Sequence, residues 1–241
     1  MHDPKRLLDF PSLLNARDLG GYPTLDGGRT RWRSVLRADD LAQLTPEGID
    51  TFADYGIETV IDLRWPEEIA ASPSPIPDGP KQIRYHSISL LARTAEDWKA
   101  LRNECTKEMW KCAVLDNSRA ELKEVLQLIA ASSPAPLLFH CVAGKDRTGV
   151  IAALMLAIAD VEPDAIAHDY ALSTERLREA YLVRYANADR DVVLENVRCP
   201  EEGVHNMLEY LDGLGGIRAY LAGIGLSDIE IARLRARLRA P

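Results

Sequence analysis

Cys141 and Arg147 bracket five residues in the run His140-Cys-Val-Ala-Gly-Lys-Asp-Arg-Thr-Gly149. Leu137–His140 is a short apolar run that follows two prolines and predicts a buried strand. Val150–Ile158 predicts an apolar helix. A tight turn between a strand end and a helix N-terminus points successive backbone N–H groups inward, and such a nest binds anions with help from the helix dipole. Val142, Ala143, Gly144 and Lys145 would supply those amides. A thiol in such a place, beside cations, ionises far more readily than a free one, with a pKa falling to roughly 3.5–7.5. Cys141 is thus expected to be a thiolate able to attack phosphorus. Arg147 offers a planar, permanently charged fork that matches two phosphate oxygens. Thr148 is placed to hydrogen-bond the sulfur as it leaves a phosphocysteine. The chemistry implied is phosphoryl transfer from a monoester to sulfur and then to water, driven by positioning and charge stabilisation. A Walker-type nucleotide loop does not fit, since Gly144-Lys145 is followed by Asp146 and no glycine stands five before Gly144.

The ten-residue run resembles the signature of the cysteine-dependent phosphatases. More narrowly, it resembles the Lys-Asp-Arg variant of atypical bacterial tyrosine/serine phosphatases, some of which also act on phosphoinositides. Two further motifs of that family are matched in order: Asn-x-Arg-Asp-x-Gly-Gly by Asn15, Arg17, Asp18, Gly20 and Gly21, and Asp-Leu-Arg by Asp62, Leu63 and Arg64. Together they span about two-thirds of the chain, and the last third is less alike. The resemblance implies an α/β fold with a central, mostly parallel sheet flanked by helices.

A leaving alkoxide or phenoxide needs a proton, so a carboxylic acid must stand near it. The resemblance assigns that role to Asp146; the alternative is that Asp146 orients Arg147 or the loop amides. Asp62 is the second candidate, because strands of an open α/β sheet converge on a site at their carboxyl ends; its alternative is a helix cap for Pro66–Ala70. Trp65-Pro66-Glu67 echoes the Trp-Pro-Asp loop of larger tyrosine phosphatases, yet a proline before two glutamates is also an ordinary first helical turn. Asp116 lies where dual-specificity enzymes place their acid. By the resemblance, Lys145 marks enzymes that accept extra anionic groups, with a solvated lysine as the alternative. His140 alternates away from Cys141 on its strand and is expected to lock the loop. Asn15, Arg17 and Asp18 are expected to buttress it.

The remaining elements must position these residues. Thr45-Pro46-Glu47 starts a helix over Ile49, Phe52 and Ala53 that Gly56 closes. Trp32–Leu36, Ile57–Leu63 and Ile83–Leu91 predict strands, and residues 72–80 a proline-rich loop. Residues 92–116 carry Trp98, Leu101 and Cys105 at helical spacing, then Met109, Trp110 and Cys112; they predict one or two helices, read equally well as a lid insertion or as core. Ser118 with Glu121 and Ser227 with Glu230 predict capping boxes. After Asp160 the chain reads as helical to its end, with Pro163 and Pro200 at first-turn positions. Strand–helix–strand order implies parallel pairing, and residues 1–241 read as a single phosphatase domain with a helical C-terminal part over 161–241. Arg233, Arg235, Arg237 and Arg239 on the last helix complement its dipole, or alternatively meet an anionic lipid surface.

The 241 residues carry 29 Lys and Arg against 37 Asp and Glu, a net charge of −8. That balance repels nucleic acid, so attraction for phosphate must be local. The 4 cysteines and 5 histidines show no metal spacing, and no metal or cofactor is implied. The N-terminus lacks the apolar core of a signal peptide, which points to the cytoplasm, with export by another route as the alternative. The expectation is a cysteine-dependent phosphomonoesterase acting on phosphotyrosine, and on phosphoserine or phosphothreonine as further substrates. Its alternatives are a phosphoinositide or inositol phosphate phosphatase, a phosphate-binding module without turnover, and a sulfurtransferase of rhodanese type.

Overall fold

A computed structural model describes residues 3–76, 83–90, 106 and 108–239. Five strands form one sheet in the order β1-β2-β5-β3-β4. They are β1 (Arg17–Asp18), β2 (Val35–Ala38), β3 (Thr59–Asp62), β4 (Arg84–Ser87) and β5 (Leu137–His140). Only β1 runs antiparallel, against β2; all other pairs are parallel. β5 is central, with Ala38 and Asp62 as the register partners of His140 on either side. The strand carrying the signature is therefore covered along both edges, and every residue of β2, β3 and β5 is buried.

Period-two alternation splits the sheet between two cores. Val35, Ile61, Leu137 and Phe139 join the larger one, built from the helices of the second half. Leu36, Ala38, Val60 and Leu138 join the smaller one with Phe10, Leu41 and Phe52. Phe52 belongs to helix α1 (Pro46–Tyr55), which begins as expected: Thr45 Oγ1 accepts from Gly48 N at 3.2 Å and Gly56 closes the helix at φ +83°. Helix α2 (Pro66–Ala71) follows β3. Then come α3 (Trp110–Asn117), α4 (Arg119–Ala131), α5 (Asp146–Ile158), α6 (Pro163–Arg184), α7 (Arg190–Val197), α8 (Glu202–Gly213), α9 (Ile217–Gly223) and α10 (Asp228–Leu238).

Several boundaries differ from the sequence reading. The helix expected at Val150 starts at Asp146, so Asp146, Arg147 and Thr148 form its first turn. An apolar-periodicity reading misses such a turn because its residues are polar. The strand expected at Trp32 starts at Val35, since Arg33 is left-handed at φ +55°. Trp32 instead covers Gly20 and Gly21, where an added Cβ would meet its ring within 2.8 and 2.2 Å. Those close approaches are why the N-terminal motif ends in two glycines. Ser118 does not cap α4; its backbone N–H closes α3 on Val114 O, and the two helices share it. The Ser227–Glu230 box forms as expected. Of the segment read as a lid or core, residues 92–105 and 107 lie outside the described residues, including Trp98, Leu101 and Cys105.

The arginines of the last helix turn inward rather than only lining its end. Arg237 donates to Ser133 O at 2.8 Å and Ala135 O at 2.7 Å, and Arg239 to Ala159 O at 3.1 Å. Arg235 pairs with Asp160. Among the described residues no helix is long and apolar enough to cross a membrane.

Candidate active site

Cys141 directly follows β5, is 2% exposed and lines a cavity of 490 Å³. Val142, Ala143, Lys145, Asp146 and Arg147 line the same cavity. The loop between strand and helix is held by its carbonyls from outside. Asn15 Nδ2 donates to Ala143 O at 3.0 Å and to Gly144 O at 3.1 Å, Arg37 Nη2 to Gly144 O at 2.7 Å, and Asp40 N to Val142 O at 3.1 Å. With these carbonyls anchored outward, the peptide N–H groups on their far side are turned toward the cavity, as a nest requires. Gly144 sits at φ +62°, and a Cβ there would lie 2.4 Å from Ala38 O, so the loop packs directly on the end of β2. Only glycine fits both demands.

The buttress is itself a buried ion cluster. Arg17 donates from Nε to Asp169 Oδ1 at 2.9 Å and from Nη1 to Asn15 Oδ1 at 2.5 Å. Arg37 Nη1 pairs with Asp169 Oδ2, and Tyr22 Oη donates to Oδ1 at 2.8 Å. Burial alone would raise the Asp169 carboxyl, but the two guanidiniums outweigh it and hold it well below the usual carboxylate range. Asp39 accepts from the backbone of Leu14 and Asn15 at 3.0 and 2.8 Å, which fixes the asparagine in turn. Asp18 makes no hydrogen bond to the loop among the described residues, accepting instead from Gly20 N at 2.8 Å, Arg33 N at 2.7 Å and Tyr55 Oη at 3.1 Å.

Arg147 meets Glu68 end-on: Nη1 donates to Oε2 at 2.6 Å and Nη2 to Oε1 at 2.9 Å. Nη1 also reaches Leu63 O at 3.3 Å, and the guanidinium lies 4.7 Å from the Trp65 ring. Burial works against this cation, yet the Glu68 carboxylate more than reverses that and keeps its pKa above the ordinary value. The Nε edge carries no hydrogen bond among the described residues. Glu68 Oε2 accepts from Trp65 N as well, at 2.8 Å. The Trp65-Pro66-Glu67-Glu68 segment is thus a helix start that steers the arginine.

Asp62 and Asp146 are brought to different places. Asp62 is fully buried against Arg64, whose Nε and Nη2 donate to it at 3.0 and 2.8 Å, and against Tyr85; it does not line the cavity. Its strand partner His140 lies 3.6 Å away, and burial pushes that imidazole down to about 4, so it is neutral. His140 Nδ1 is 3.4 Å from Cys141 O, in keeping with a loop-locking part. Asp116 lies on α3, outside the cavity lining, taking both oxygens to Tyr210 Oη at 2.8 Å. Asp146 lines the cavity, with Tyr170 Oη donating to Oδ1 at 3.1 Å and Lys145 Nζ 3.5 Å from Oδ2. Lys145 Nζ also donates to Asn196 O at 2.6 Å, which ties the loop to α7. Thr148 Oγ1 is buried with no hydrogen-bond partner among the described residues, so the expected bond to the Cys141 sulfur is not formed here.

The opposite wall was not foreseen. Tyr181, Tyr185, Ala188, Val192 and Val193, from the end of α6 through α7, face the loop across the cavity, with Trp65 at one side. Glu68, Asp169 and these tyrosines lie far from the signature in sequence. A faint signal did exist for Asp169, an acid spaced with Ile166, Ser173 and Leu177 on a buried helix face.

The model of a family described as "Tyrosine phosphatase family" matches residues 8–240. A tyrosine-protein phosphatase of Nostoc commune is 34% identical over 85% of this chain and 74% of its own. The triple specificity protein phosphatase PtpB of Mycobacterium tuberculosis is 25% identical over 95% of this chain and 98% of its own. Among solved structures, TpbA of P. aeruginosa is 17% identical over 68% of this chain and 86% of that one, with a TM-score of 0.37.

Proposed function

The chain belongs to the tyrosine phosphatase family, and on that premise we propose that Cys141, Arg147 and Asp146 carry out the hydrolysis of phosphotyrosine in proteins through a phosphocysteine. The observation that carries this reading is the outward anchoring of the loop carbonyls, which turns the amides between them toward the cavity that Cys141 and Arg147 both line. Cys141 Sγ attacks phosphorus opposite the tyrosine oxygen; the S–P bond forms as the P–O bond breaks. Asp146 gives its proton to the leaving phenolate oxygen. In the second step Asp146 takes a proton from water, the water oxygen bonds to phosphorus, and the thiolate leaves with inorganic phosphate as product. Arg147 and the amides hold the equatorial oxygens throughout. The Thr148 hydroxyl is the donor available to the departing sulfur.

Asp146 rather than Asp62 is the acid on this reading, because only Asp146 lines the cavity, while Asp62 is enclosed by Arg64 and Tyr85. The aromatic wall of Tyr181, Tyr185 and Trp65 suits a phenyl ring, so phosphotyrosine ranks above phosphoserine and phosphothreonine. A phosphoinositide needs a second free cation, and Lys145 already serves Asn196 O and Asp146. The test is phosphate release from a phosphotyrosine peptide and from a phosphoinositide. Cys141→Ser is expected to abolish release while orthovanadate still binds; residual turnover at wild-type rate would overturn the mechanism. Faster release from the lipid than from the peptide would overturn the substrate assignment.

A further inference from the structure

Beneath the signature helix lies a group of buried side chains that the mechanism above does not use. Tyr170 comes from α6 and donates its hydroxyl to Asp146 Oδ1 at 3.1 Å. Its ring rests where Gly149 has no side chain: a Cβ there would lie 2.9 Å from Cδ2 and 3.1 Å from Cε2. The signature glycine thus makes room for this tyrosine. Over the ring stands Lys111 of α3, fully buried, with Nζ 3.5 Å from the centroid. Three helices thus stack behind one carboxyl group, Tyr170 bonded to Asp146 and Lys111 packed on Tyr170.

We propose that Tyr170 and Lys111 are positioning residues for the proton donor, Tyr170 holding the Asp146 carboxyl in place and Lys111, through that ring, tuning how firmly it keeps its proton. The proposal rests on the reading of Asp146 as the acid. The charged and titratable groups facing Asp146 are Lys145 and Arg147 beside it, Lys111 from α3, Tyr170 and Tyr181 from α6, and Cys199 beyond α7. Burial alone would raise the Asp146 carboxyl; Lys145, Lys111 and the Tyr170 hydroxyl outweigh it and hold it below the ordinary range. Burial in turn pushes Lys111 down to about 7, although Asp146 opposes this. Lys111 therefore sheds its charge near neutrality, and Asp146 then faces one cation fewer and holds its proton more firmly. A dianionic phosphate above the loop acts in the same direction, by like-charge repulsion. Tyr170 itself stays protonated, since burial and the neighbouring carboxylate push it well above its usual value.

The test is the pH profile of kcat for phenyl phosphate, a poor leaving group, against 2,4-dinitrophenyl phosphate, which needs no proton. Tyr170→Phe keeps the ring and removes the donor, and Lys111→Met keeps length and removes charge. Both are expected to move the basic limb for phenyl phosphate to higher pH, Tyr170→Phe by about one unit and Lys111→Met by less. KM and the dinitrophenyl profile should stay as in wild type. An unmoved limb in Tyr170→Phe, with thermal unfolding showing a folded protein, overturns the proposal. Asp146→Asn, run alongside, separates the two readings. If it slows both substrates equally, the acid assignment itself fails; if it slows phenyl phosphate alone while the Tyr170→Phe limb does not move, only the positioning proposal fails.

Discussion

Two carboxylates in this protein have similar chemical surroundings and, on the proposed mechanism, opposite duties. Asp169 faces two cations and Asp146 three, each accepts from a tyrosine hydroxyl, and both are held below the ordinary carboxylate range. The difference is geometric. Asp169 has Arg17 and Arg37 in direct contact, with no side toward solvent. Asp146 meets its nearer lysine at 3.5 Å, its other lysine through a tyrosine ring, and opens on the cavity. A carboxylate enclosed by guanidiniums can only hold structure together. One with looser cations and an open side can exchange a proton.

That contrast can be broken most forcefully at its structural end. Asp169→Asn leaves Arg17 and Arg37 as buried charges without a counter-ion, and urea unfolding is expected to show a loss of about 3–5 kcal/mol. Activity should fall with it, since Arg37 and Asn15 lose the frame that anchors the loop. Asp146→Asn is expected to do the reverse. Its stability should change by less than about 1 kcal/mol, while kcat for phenyl phosphate falls roughly 10²–10³-fold. A large stability loss in Asp146→Asn would erase the distinction.

Glu68 lies between the two cases, half-buried and bidentate on Arg147. Glu68→Gln keeps the shape and loses the charge, so Arg147 should wander and KM for phosphotyrosine peptides should rise about tenfold. Initial rates over a range of peptide concentrations decide it; an unchanged KM would mean that Leu63 O and the Trp65 ring suffice to aim the arginine. The pH dependence of stability offers a finer check. The Lys111 pKa is about 7 in the folded protein and that of a free lysine, about 10.4, in the unfolded chain. Between those values the unfolded chain binds more protons, so this residue makes the fold more stable as pH rises from 7 to 10 and penalises it fully below 7. Lys111→Met should remove that rise, on the order of 3–4 kcal/mol, in urea titrations at the two pH values. The smallest effect is expected at the Ser227 cap: Ser227→Ala should cost about 1 kcal/mol and leave turnover alone.

The site was legible in sequence where its parts are neighbours along the chain. A strand end, a turn and a helix start within ten residues carry their own geometry, and Leu137–His140 is the strand observed. Asp146 emerged as a candidate for the same reason, although the helix begins at it rather than at Val150. Asp62, at the end of a neighbouring strand, reads as the second candidate. Side-chain alternation sets it beside His140 on the face where Arg64 and Tyr85 close over it, and no local pattern announces that choice. Glu68 read as a helical first turn because nothing near it names Arg147, which lies 79 positions away. Lys111, Tyr170, Tyr181 and Tyr185 had still less signal, as each matters only through what the fold sets against it.

The amino-acid order alone placed the proposed phosphate-binding loop with its cysteine and its arginine, because backbone turn geometry and a helix dipole act over a few consecutive residues. Only the tertiary structure decided which carboxylate faces the cavity, what aims Arg147 and what lies against Asp146. Those outcomes depend on desolvation and Coulomb forces between groups that are far apart in the chain and become neighbours only when the sheet and helices pack.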